Sequence, residues 1–173
     1  KVLESAATID RLIEANYRKH KVTPNAPSSD AQFVRRIYLD IAGQIPPVAE
    51  VRRFLDSTEP DKRQQAVEDL LNGPLYTANF ATVWRSVMMP EADNDQQVRV
   101  LTPGFEAWIR AQLSINRPYD DMVLDILTTP LNAQAAAPQM MRQSPASPVA
   151  FYQAKQIKPE NLAAATSRIF LGI

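Results

Sequence analysis

The stretch Phe33-Val-Arg-Arg-Ile-Tyr-Leu-Asp-Ile-Ala-Gly-Gln-Ile-Pro-Pro-Val-Ala-Glu-Val-Arg-Arg-Phe-Leu55 decides the fold class. Phe33, Val34, Ile37, Tyr38 and Ile41 recur at the three- and four-residue spacing of one helical face. Ser29 or Asp30 stands ahead of them as an N-cap, its side-chain oxygen placed to accept from the free amides of the first turn. Gly43 occupies the position past the helix end where a left-handed backbone is favoured, and Pro46-Pro47 prevent continuation. A second helix follows over 47–57, with Val51, Phe54 and Leu55 inward. Helix, glycine stop, proline turn and helix together predict a corner between two helices. Arg35, Arg36 and Asp40 are placed to form charge pairs around it.

The same punctuation repeats outward. Upstream, 4–19 carries one apolar stripe, Ile9, Leu12, Ile13 and Tyr17, and 22–29, with Pro24 and Pro27, is a linker. Downstream, Pro60 opens a helix over 60–72 with Ala66, Val67, Leu70 and Leu71, and Gly73-Pro74 ends it. A longer helix over 74–89 presents Leu75, Phe80, Val83, Trp84 and Val87 before Pro90 stops it. Residues 91–101 read as a polar acidic loop. Helices then span 103–116, with Phe105, Trp108, Ile109 and Leu113, and 118–129, with Met122, Val123, Ile126 and Leu127. The segment 130–148, with four prolines and Arg142 as its one charge, reads as an extended ordered loop. Helices return over 148–156 and 159–171. Only 4 Gly against 14 Pro, and few alternating strands, argue against sheets. The expectation is an all-α fold, a compact array of about eight or nine short helices in one domain over 1–173. Because the chain opens on Lys1 and closes on an apolar helix, we expect it to be trimmed at one or both ends.

Composition removes several chemistries. A chain of 173 residues without Cys carries no disulfide, thiol nucleophile, Cys-ligated zinc, iron–sulfur cluster or covalent c-type haem. One His excludes a multi-His metal site. With 19 basic and 19 acidic residues there is no electrostatic footprint for nucleic acid. No apolar run is long enough to span a bilayer.

The remaining motifs favour structural roles. His20 sits among bases at a helix C-terminus, where the macrodipole favours cations. Glu91-Ala-Asp-Asn-Asp95 is rich in oxygen ligands, but it lacks the glycine and closing glutamate of a calcium loop, so it reads as a solvated loop. Asp120 and Asp121 point about 100° apart on a helix, which suits a helix start and not an acid/base pair. Asp40, Asp56 and Asp125 are candidates for structural ion pairs with Arg35, Arg36, Arg52 or Arg53. No serine or threonine has a nucleophile elbow around it. Met88-Met89 and Met140-Met141 suit a core or an adaptable protein contact; Met88, Met89, Met140, Met141 and Arg142 are the candidate partner contacts. Trp84 and Trp108 read as core or interface anchors. No catalytic or metal-binding constellation emerges, and we expect no enzyme activity and no cofactor on this chain.

Three stretches carry a resemblance: Phe33–Leu55 quoted above, Gly104-Phe-Glu-Ala-Trp-Ile-Arg with Asn116-Arg-Pro-Tyr-Asp120, and Pro159-Glu-Asn-Leu-Ala with Arg168-Ile-Phe-Leu-Gly172. Together they resemble the bacterial domain of unknown function found in large exported proteins of planctomycetes and related phyla, the planctomycete cytochrome-associated domains. In that family the Phe-Leu-Gly-hydrophobic step leads into a Cys-x-x-Cys-His haem-attachment segment, whereas this chain stops at Ile173. The resemblance implies a periplasmic or otherwise exported setting and an association with c-type cytochrome chemistry. The function expected first is a non-catalytic accessory subunit docking on a larger assembly, such as a c-type cytochrome or a membrane electron-transfer complex of respiration or photosynthesis. The segment 130–148 is its expected contact surface. Two alternatives stand beside it: a fragment of a c-type-haem redox protein whose haem part lies beyond Ile173, and an accessory domain of an exported hydrolase.

Overall fold

The computed structural model describes residues 2–131 and 146–172, and these are all-α, without a strand among them. In chain order the helices are α1 (Val2–His20), α2 (Asp30–Ile37), α3 (Val48–Asp56), α4 (Lys62–Asn72), α5 (Pro74–Met88), α6 (Gln96–Arg99), α7 (Thr102–Ser114), α8 (Tyr119–Thr128), α9 (Val149–Ala154) and α10 (Pro159–Thr166).

The corner at Phe33–Leu55 forms as its sequence dictates. Ser29 Oγ accepts from the Gln32 amide at 3.4 Å, and Gln32 Oε1 accepts from the Ser29 amide at 3.2 Å, a reciprocal capping box. The expected single helix from Ser29 to Ala42 is instead α2 followed by a π turn, Tyr38–Ala42. Gly43 then adopts φ +68°, and a Cβ there would collide with Asn79 Oδ1. Asn79 Nδ2 donates to Ile41 O at 3.1 Å, so α5 satisfies a carbonyl that the turn leaves free. The C-terminal helix ends in the same manner. Instead of running unbroken to 171, α10 passes into a π turn, Ser167–Leu171, stopped by Gly172 at φ +70°.

The core lies around α5, α7, α8 and α9. Phe105, Ile109, Ile126, Phe151 and Met89 are fully buried, with Ala81 and Met88 beside them. α5 and α7 pack along each other, and Trp84 stacks on Tyr119 with centroids 5.4 Å apart. The inward line of α5 is buried Ala81, half-buried Trp84 and buried Met88, a regular 3–4 spacing. Leu75, Val83 and Val87, expected inward, are therefore exposed. Leu55, Leu71 and Leu127 are likewise exposed, while Tyr38 and Ile41 are half-buried.

Two further expectations need correction. The acidic segment 91–101 is not a loop: Pro90–Asp93 forms a 3-10 turn and α6 follows, capped by Asp95 Oδ1, which accepts from the Gln97 amide at 2.8 Å. Burial of Ala92 and Val98 fixes this segment to the core. Arg35, Arg36, Asp40, Arg52 and Asp56 form no ion pair among the described residues. The corner is instead tied by Asp30, whose Oδ1 accepts from Arg63 Nη2 at 2.7 Å and whose Oδ2 lies 2.7 Å from Lys62 Nζ. Asp125 does pair, with Arg117 at 2.7 Å.

Candidate functional site

Two places in the described residues gather polar side chains against an apolar background. The first is a groove of about 560 Å³ between α2, α3, α4 and the start of α5. Its floor is Val34, Phe54 and Leu70, all buried. Tyr38, Glu50, Arg53, Lys62 and Asp69 stand around it. The corner sequence builds this groove, because the Gly43–Pro47 turn sends α3 back beside α2.

Its electrostatics are arranged in layers. At one end Lys62 and Arg63 converge on Asp30, and their cationic heads lie over the rings of Phe54 (5.2 Å) and Phe33 (4.8 Å). Hydrogen bonds from Lys62, then Arg63, hold the Asp30 carboxyl below its ordinary range. Glu50 accepts from Arg53 one turn away. Burial, and then the neighbouring Glu50 carboxylate, push the Tyr38 phenol upward, so it stays protonated at neutral pH. The groove thus offers a neutral hydroxyl, a neutralised acid–base pair and the Asp69 carboxylate over an apolar floor. Lys62 also donates to the Ser57 carbonyl at 3.0 Å on the same rim.

The second place is buried. Lys155 is 3% exposed, its Nζ lies 2.6 and 2.7 Å from the two Glu91 oxygens, and the ammonium sits 5.4 Å from the Phe151 ring centre. Nearby, Arg85 Nη1 donates to Asp93 Oδ1 at 3.1 Å, and its Nε lies 3.4 Å from Glu106 Oε1 without hydrogen-bond geometry. The backbone leaves α9 through Gln156 and Ile157, at φ +58° and +54°, a strained conformation for a β-branched residue. Asn161 Nδ2 donates to Lys155 O at 3.2 Å and supports the turn. Sequence reasoning missed this pair. Its one signal was a lysine following the apolar run Val149-Ala-Phe-Tyr152, with an acidic segment expected to be solvated as its counterpart.

The candidate partner contacts separate. Met88 and Met89 are 1% and 0% exposed, so they belong to the core and offer no surface. Met140, Met141 and Arg142 lie outside the described residues, as does most of the expected loop 130–148. Trp108 is buried and Trp84 half-buried. His20 ends α1 with Arg18 and Lys19, and Asp120 and Asp121 open α8, both as the macrodipole favours. No group of three or more His, Asp or Glu among the described residues is placed to hold a metal ion.

What sequence pattern did not foretell is the situation of α1. Ile9, Leu12, Ile13 and Tyr17 form the expected stripe, yet every side chain described on this helix is exposed. The stripe has no cover among the described residues. None of the described helices is long and apolar enough to cross a membrane.

No curated protein and no solved structure matches the chain. One family does match, PSCyt2, a protein of unknown function (DUF1549), over residues 8–173. The match takes in the stripe of α1, the glycine–proline corner and both π turns, so it extends over both candidate places. On this ground the chain belongs to the PSCyt2 (DUF1549) family.

Proposed function

We propose that this domain is a non-catalytic accessory module of an exported, cytochrome-containing assembly, acting through protein–protein contact. The observation that supports it best is the bare stripe of α1. Four large apolar side chains on one helical face have no cover among the described residues, although the body has buried its own core. A helix whose apolar stripe faces no neighbour gains its main stabilisation when another surface covers that stripe. The exported setting and the cytochrome partner rest on the motif resemblance.

The full-length protein, captured from the periplasmic and membrane fractions of its host, tests the proposal. The expected result is recovery in those fractions with a haem-bearing chain in stoichiometric amount, read from the Soret band and intact mass. Recovery from the cytoplasm, or alone, would refute it. Haem remaining on the protein after every other chain is removed would favour a redox protein instead.

A further inference from the structure

We infer that the groove between α3 and α4 is a binding site for an arginine side chain, presented with an apolar neighbour by a segment of a partner protein. The inference rests on the accessory-module reading in taking that segment from a partner, and it names the chemistry of the contact.

The walls come from two helices that each pack on α2. Glu50, Arg53 and Phe54 stand three and four residues apart on α3, as do Ala66, Asp69 and Leu70 on α4, so one face of each helix borders the same space. That space, about 560 Å³, falls within the ~300–1,000 Å³ of sites that take drug-sized ligands. An apolar floor with a few convergent polar groups is the composition such sites share.

Pairing divides the charges of the groove. Lys62 is fully engaged: it lies over the Phe54 ring, 2.7 Å from Asp30 Oδ2, and donates to Ser57 O at 3.0 Å. Arg53 is taken by Glu50 of its own helix, and its side chain is 73% exposed. The Asp69 carboxylate has neither an ion pair nor a hydrogen bond among the described residues, and the Tyr38 hydroxyl has no hydrogen bond among them. Both residues border the groove. They are also close, because burial, then Glu50 and to a smaller extent Asp69, push the Tyr38 phenol upward. With Glu50 and Arg53 cancelling and the phenol neutral, the Tyr38 end keeps one uncompensated negative charge beside a free hydroxyl.

The same body shows what satisfies such a place. Arg63 lies over the Phe33 ring, and its Nε and Nη2 donate to Asp30 Oδ1 at 2.9 and 2.7 Å. Tyr38 and Asp69 repeat the aromatic ring and the carboxylate, and no cation of the described chain completes them. A guanidinium suits them better than an ammonium, since its planar fork serves a carboxylate and a hydroxyl together. Its aliphatic stem covers part of the floor, and the volume admits an apolar neighbour on Val34, Phe54 and Leu70.

Isothermal titration of the 173-residue chain with the peptide acetyl-Ala-Leu-Arg-Leu-Ala-amide tests this. Saturable binding is expected. It should weaken at least ~10-fold when citrulline, the neutral isostere, replaces the arginine, and by less when lysine does. Asp69→Asn is expected to raise Kd at least ~10-fold and Tyr38→Phe about 2–10-fold. Glu160→Gln, which removes a carboxylate of α10 outside the groove, should leave Kd unchanged. Melting curves check that the variants fold, and the citrulline peptide tests the site on the unaltered chain.

No saturable binding, equal affinity for the arginine and citrulline peptides, or a Kd indifferent to Asp69→Asn would each overturn the inference. So would N-acetyl-arginine methylamide binding as tightly as the peptide, which would mark a site for a free small cation. An Asp69→Asn chain that captures its haem-bearing partner as fully as the parent sinks the arginine contact and leaves the accessory reading standing. A chain that binds the peptide in the groove and captures no partner does the reverse.

Discussion

Removing Glu91 should be far more damaging than removing the lysine it holds. Lys155 is 3% exposed and places its ammonium 2.6 and 2.7 Å from both Glu91 oxygens, against the face of Phe151. Glu91→Ala strands that ammonium in the core. Breaking a buried pair from one side costs about 3–5 kcal/mol, and the lower end applies here because the Glu91 side chain is 36% exposed and admits water. At about 3 °C per kcal/mol for a chain of this size, about 3 kcal/mol lowers Tm by roughly 9 °C. Lys155→Met preserves length and packing, and it leaves a carboxylate that solvent reaches. Its stability should stay within about 1 kcal/mol of the parent or rise. The double variant should resemble Lys155→Met, giving a coupling of about 2–3 kcal/mol in the cycle. Urea unfolding followed by far-ultraviolet circular dichroism measures all four proteins. Equal losses in the two single variants, or a loss below about 1 kcal/mol for Glu91→Ala, would show that the pair is not a buried ion pair in the sense argued.

Gly43→Ala should cost about 2–3 kcal/mol by the same assay, about 1–2 for the left-handed backbone and about 1 for displacing Asn79 from Ile41 O. In an Asn79→Ala background only the backbone part should remain. Asp30 supplies a pH test: its carboxyl is held below the ordinary value of 3.8 by Lys62 and Arg63, so its contribution is complete above that value and fades as pH falls through the lowered one. Acid titration of stability should therefore lose part of its slope below pH 3.8 in Asp30→Asn, and an unchanged slope would contradict the assigned pairing.

The helix limits were legible because proline and glycine act locally. Ser29, Gly43, Pro46-Pro47, Gly73-Pro74 and Pro90 constrain backbone angles and amide donors whatever surrounds them, and each stands where a helix starts or stops. Inward faces were less legible, since Val83 and Val87 are as apolar as Trp84 and only the position of α7 decides which side of α5 is covered. The charge pairs escaped for the same reason. Arg35, Arg36 and Asp40 are neighbours in sequence, but Asp30 meets Arg63 across 33 residues and Lys155 meets Glu91 across 64. A lysine is read as solvated by default. Only tertiary packing around Phe151 could reveal this one as buried. The stripe of α1 was legible as a stripe, while its lack of cover among the described residues was not, because periodicity records what a helix can bury and not whether anything meets it.

The two π turns, Tyr38–Ala42 and Ser167–Leu171, each run into a left-handed glycine. A π turn closes its hydrogen bonds over five residues where an α turn uses four, so each holds one residue more than the helix requires. Shortening the chain by that residue would return the turn to α spacing without rotating the helix before it. The same one-residue deletion inside α5 or α7 would instead turn the rest of the helix by about 100° and take its buried line off the core.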